Sequence, residues 1–176
     1  MAKKAKPKYV NCRYPKCREL HESTEILKSE AIKHGKGYYH EDCLHTMLKV
    51  TEIRDLFYKE VNPLMTGKQI GELVSIVNHL IFKKDIKPDF ILFALQYYIK
   101  YKPGSLNYPG GIAYIVQNKD VIAAWKKEQE RLAKEEIRKQ QKETVVEDDE
   151  FRLDLPENQL DNNTNKKSKF SRVLGV

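Results

Sequence analysis

Large apolar residues are unevenly spread along the 176-residue chain: they concentrate between Leu44 and Trp125 and become sparse beyond Lys142. Within that stretch Ile70, Leu73, Val74, Val77, Leu80 and Ile81 recur at i, i+3, i+4 and i+7, one continuous stripe on a helix that Thr66 can cap. A second helix is predicted to start at Pro88-Asp89, with Phe90, Phe93, Ala94, Tyr97 and Tyr101 on its buried side and Pro103-Gly104 ending it. The loop from Lys102 to Gly111 is rich in glycine and proline, so it is either a functional loop or a rigid connector. After it come the apolar run Ile112, Tyr114, Ile115 and Val116, and then Asn118, which can cap a long helix from Lys119. From Lys126 to Lys142 nearly every residue is charged or glutamine, the pattern of a helix in water supported by i, i+4 pairs.

Ahead of the apolar stretch the pattern is different. Ala31 to His34 and Tyr38 to His40 read as short strands around Gly35-Lys36-Gly37, a plausible hairpin turn because glycine accepts positive φ. A helix beginning near Glu41-Asp42 is expected to continue through Leu44, Met47, Leu48 and Val50 toward Phe57 and Val61. All three cysteines lie in this first part. With one histidine they form C-x4-C-x22-H-x2-C: Cys12, Cys17, His40 and Cys43. Thiolates and imidazole suit Zn²⁺, and four of them close a tetrahedral shell with no open position, so one structural zinc ion is expected. His40 and Cys43, three apart, share a face if the helix starts between them. The alternatives are reduced, metal-free cysteines, or His21 or His45 in place of His40.

Knuckle, hairpin and helix-borne second pair together resemble a treble-clef zinc finger. The segment GYYHEDC is similar to the end of the first finger of LIM domains and of the finger of poly(ADP-ribose) polymerases, over about the first 50 residues. The first pair has four intervening residues where those fingers have two, which predicts a wider knuckle. In the helical part, Tyr97-Tyr98, Gly110 to Ile115 and Trp125 resemble small helical domains of phage and mobile-element proteins of Gram-positive bacteria and of primosome proteins. That resemblance implies an accessory role in replication, without carrying over any DNA-contact residue.

The expected fold is therefore mainly α with a small β-hairpin. It comprises a zinc-binding module with a basic arm (1–48), a helical domain ending in a long charged helix (49–142) and a disordered tail (143–176). A module of under 50 residues buries too little surface to fold alone, so metal binding should supply most of its folding free energy.

Charge turns this framework toward binding. The net charge is +7, and Lys3, Lys4, Lys6, Lys8, Arg13, Lys16 and Arg18 crowd the first 18 residues with no acid among them and with Tyr9 and Tyr14 interleaved. Such a cluster can neutralise phosphates and stack on bases, DNA more than RNA; the alternative is a solvated arm. The tail is acidic around Glu147 to Glu150 and basic at its end, with Phe151, Leu153, Leu155, Phe170, Val173 and Leu174 as isolated apolar anchors for a protein partner. No phosphate-loop, nucleophile-elbow or H-E-x-x-H pattern occurs, and with the cysteines committed to metal no nucleophile stands out, which argues against an enzyme. An odd cysteine count, no signal peptide and no apolar run near the length of a membrane span point to a reducing, cytoplasmic compartment without membrane contact. The expectation is a non-enzymatic zinc-finger protein that binds nucleic acid as a phage or mobile-element accessory factor in DNA replication or transcription. The alternative is a protein-interaction adaptor.

Overall fold

The computed structural model describes the backbone of residues 7–150 and the side chains of residues 7–140. Two antiparallel pairs of three-residue strands open it. β1 (Tyr9–Asn11) pairs antiparallel with β2 (Glu25–Leu27), setting Val10 opposite Ile26, and α1 (Cys17–Leu20) is a single turn between them. β3 (Ile32–His34) pairs with β4 (Gly37–Tyr39) in the register His34 opposite Gly37. This second hairpin is the expected one with a shorter turn. Gly35 takes the left-handed conformation (φ 56°), whereas Gly37 sits in the strand. There an added Cβ would lie 2.8 Å from the Tyr39 ring and 2.9 Å from Arg13 Cδ, so Gly37 serves close approach rather than turning.

α2 (Glu41–Leu56) follows directly, with Glu41 and Asp42 in its first turn, where acids favour the helix dipole. It runs into a π-helical turn, Phe57–Val61. α3 (Gly67–Lys84) starts from a full capping box: Gln69 N–H donates to Thr66 Oγ1, and Thr66 N–H donates to Gln69 Oε1. Of its predicted stripe, Leu73, Val77, Leu80 and Ile81 are buried, and Ile70 and Val74 are half-buried.

α4 (Pro88–Tyr101) begins and ends close to the predicted bounds and buries more than the predicted face, with Tyr101 alone of the expected residues left exposed. Ile91, Leu92, Ala94, Leu95 and Tyr98 enter the core, while Tyr101 is 59% exposed and Phe90, Phe93 and Tyr97 are half-buried. The physical reason is the near-continuous apolar composition from Phe90 to Ile99, which marks no single stripe. Both sides are used, and the Phe90 and Phe93 side receives Trp125, with ring centroids 5.7 and 5.1 Å apart.

The loop after α4 is a connector. Leu106 is buried and packs against Gly111, where a Cβ would collide with its side chain. Gly111 opens α5 (Gly111–Ile115), which buries Ile112 and Ile115 and leaves Tyr114 exposed. α6 (Lys119–Glu150) starts at Asn118, whose Oδ1 accepts from Asp120 N–H and whose Nδ2 donates to the Tyr98 hydroxyl. Its backbone continues to Glu150, beyond the expected end at residue 142.

The described residues up to Arg131 form one compact unit, and Leu132 onward a second. Residues 132–140 are exposed helix: Leu132 and Ile137 face solvent, and Lys139 pairs with Glu135. No helix among the described residues is long and apolar enough to cross a membrane. Lys3, Lys4, Lys6 and the tail anchors Phe151, Leu153, Leu155, Phe170, Val173 and Leu174 lie outside the described residues.

Candidate metal centre

Two local structures bring the four predicted ligands together. The first is the knuckle. Cys12 N–H donates to the Thr24 carbonyl (2.7 Å) and Arg13 N–H to the Tyr38 carbonyl (2.9 Å), which ties the strand leaving β1 to both hairpins. The chain then turns through Pro15-Lys16, Cys17 N–H donates back to the Tyr14 carbonyl (3.0 Å), and Cys17 opens α1. The second is the start of α2. His40 is its last extended residue, Leu44 N–H donates to the His40 carbonyl, and Cys43 N–H is held by Asp42 Oδ1 at 2.8 Å.

Cys12, Cys17 and Cys43 are buried, none is in a disulfide, and their sulfurs lie with a His40 ring nitrogen within 4.8 Å of one another. His40 Nδ1 stands 3.4 Å from Cys17 Sγ and 3.8 Å from Cys43 Sγ. A tetrahedral zinc shell with Zn–S about 2.3 Å and Zn–N about 2.0 Å has S···N edges of roughly 3.5 Å and S···S edges of roughly 3.8 Å. The donor set therefore fits a metal ion in both chemistry and spacing, with Nδ1 as the liganding nitrogen.

Electrostatics point the same way. Burial, then Cys12, pushes the Cys17 thiol above its ordinary range, burial, then Cys12 and Cys17, does the same to Cys43, and burial, then His21, pushes His40 below its own. Packed without a cation these groups resist charging; a divalent ion reverses this by neutralising the thiolates it binds.

The alternative histidines fall into different places. His45 Nε2 donates to Asp89 Oδ2 (2.8 Å) on the surface, and His45 belongs to no described metal-binding group. His21 stacks on His40, centroids 3.8 Å apart and planes 20° from parallel, and its Nε2 lies 2.8 Å from Asp42 Oδ1. Sequence reasoning missed this support. Its signal is the Cys17-x3-His21 spacing, which returns the histidine to the ligand after one turn.

Of the expected nucleic-acid contacts, Lys8, Tyr9, Arg13, Lys16 and Arg18 are exposed. Tyr14 is not. It is 8% exposed, its ring lies 6.4 Å from Phe82, and its hydroxyl is buried with no partner, so it cannot stack on a base. Burial, with the Cys43 charge second, pushes that hydroxyl up to about 12. The four-residue gap between the first two cysteines thus accommodates a tyrosine turned inward beneath the knuckle.

Compared with known proteins, the chain matches no family model, no curated protein and no solved structure.

Proposed function

We propose that the metal is Zn²⁺ and that the chain is a non-enzymatic nucleic-acid-binding accessory protein of a phage or related mobile element, acting in DNA replication or transcription. Three thiols and one imidazole are soft and borderline donors that favour zinc over oxygen-loving cations, and they leave no coordination position for a substrate. The ion holds the treble-clef-like finger together; it does no chemistry. The observation that carries the binding reading is the surface of that finger. Lys8, Arg13, Lys16 and Arg18 are exposed on and beside the knuckle with Tyr9, and among the described residues none of the four basic side chains is in a salt bridge. Unpaired cations can release counterions from a phosphate backbone, and an exposed tyrosine can stack on a base. The process, and DNA ahead of RNA, rest on the resemblance of the helical part to replication accessory proteins.

One observation favours a protein adaptor instead. A groove of about 430 Å³ between the knuckle, α2 and α3 is lined by Pro15, Met47, Val50 and Val74, an apolar surface suited to a protein side chain. Salt separates the two readings. Binding of the full chain to single- and double-stranded DNA and RNA should weaken steeply with salt. Changing Lys8, Arg13, Lys16 and Arg18 together to alanine should flatten the slope of log affinity against log salt by up to ~0.9 per lost contact on duplex DNA. Unchanged affinity and slope would favour the adaptor.

A further inference from the structure

His21 stands against the metal centre without being one of its four ligands. Its backbone N–H donates to the carbonyl of Cys17 (2.8 Å), so it is tied to a ligand one turn earlier. Its ring lies flat on that of His40. Its side-chain nitrogen, Cys43 Sγ and an Asp42 carboxylate oxygen all fall within 4.8 Å of one another, a second cluster of ligand atoms that shares Cys43 with the first. We propose that His21 is a reserve ligand of the metal centre, able to take the fourth coordination position when His40 does not hold it.

Three features carry this. The distance to one sulfur is short: a ligated imidazole nitrogen sits about 3.5 Å from a ligated sulfur, so from at most 4.8 Å the His21 nitrogen closes on Cys43 by roughly 1.3 Å at most, and side-chain rotation into the place of the His40 ring carries it on toward Cys12 and Cys17, which lie outside that cluster. The path is defined, because the ring on which His21 is stacked is the His40 ring, and removing that ring opens the space toward the sulfurs. The bond given up is cheap to lose, since Asp42 is 53% exposed and water can replace His21 as its partner. With His40 in place, His21 instead orients Asp42, which holds Cys43 N–H, and so supports the ligands from outside.

The inference rests on the zinc reading above, and the test separates the two. Zinc content and zinc affinity are measured for the full chain carrying His40→Ala, His21→Ala or both, together with the absorption of bound cobalt(II), which distinguishes three sulfurs plus nitrogen from three sulfurs plus water. His21→Ala alone should weaken binding by about 10-fold, the scale of a lost outer support. His40→Ala should keep about one zinc per chain at an affinity lower by roughly 100-fold, with a sulfur-and-nitrogen cobalt spectrum. The double variant should lose more than the product of the two single effects, because His21 is a ligand only when His40 is absent. A wild-type chain without zinc would defeat the zinc reading itself. Zinc in the wild type, with His40→Ala and the double variant losing it equally or His40→Ala binding cobalt through water, would overturn the reserve ligand alone.

Discussion

Around Cys12, Cys17 and Cys43 the buried side chains are thiols, with Tyr14 and Ile26 as their buried apolar company. Around Ile53 and Leu95 they are aliphatic and aromatic, and Phe57, Leu73, Ile91, Ile112 and Val121 are fully enclosed. α2 belongs to both, carrying Cys43 near its start and Ile53 near its end, and Phe82 packs against both clusters. The helical core gains about 1.5–3 kcal/mol from each large side chain it encloses. The N-terminal module encloses too few for that, and under the zinc reading proposed above a metal contributing on the order of 10–16 kcal/mol to a finger-sized module takes their place. On that reading one continuous helix joins a region held by burial to a region held by coordination, and the two should fail under different insults.

Cys43→Ser tests the division most severely. It should abolish stoichiometric zinc binding and unfold the finger, while circular dichroism still reports α3, α4 and α5. Collapse of the helices as well would show that the two cores are one. Leu95→Ala is the converse: it should lower the stability of the helical core by about 3–5 kcal/mol in a denaturant titration and leave about one zinc per chain. Thr66→Ala removes one side of the capping box and should cost about 1 kcal/mol in the same titration, again without touching the metal. Tyr14→Phe has the smallest effect. The hydroxyl it deletes is buried without a partner, so stability should be unchanged or higher by up to ~1 kcal/mol, with nucleic-acid affinity unaltered. A marked loss of affinity in this variant would return Tyr14 to the binding surface.

Features with a local chemical cause were legible in the sequence. Thr66, Pro88 and Asn118 mark helix starts because each satisfies or removes a free backbone N–H, and the ligand quartet is identifiable because few residue types bind zinc. Features decided by packing were not. The strands β1 and β2 are three residues long and bury only Ile26, with Val10 and Leu27 half-buried, too short for alternation to register. The apolar run from Phe90 to Ile99 in α4 marks no single stripe, so periodicity names Phe90, Phe93, Ala94 and Tyr97, which pack on the core, but not Ile91, Leu92, Leu95 and Tyr98, which the core also encloses. Tyr14 has the sequence pattern of a surface aromatic because its neighbours Arg13 and Lys16 are surface cations. What turns it inward is Phe82, 68 positions away in sequence.

Removing the metal is the most direct test of the account. Trp125 packs on Phe90 and Phe93 within the helical part and is the single tryptophan, so its fluorescence reports that core and not the finger. Purified protein should contain about one zinc per chain. Titration with a chelator should release it, expose Cys12, Cys17 and Cys43 to thiol reagents, and leave the Trp125 emission unchanged. Protein that purifies without zinc yet keeps its cysteines protected, or a Trp125 signal that falls in step with zinc release, would contradict a finger held by its metal beside a core held by burial.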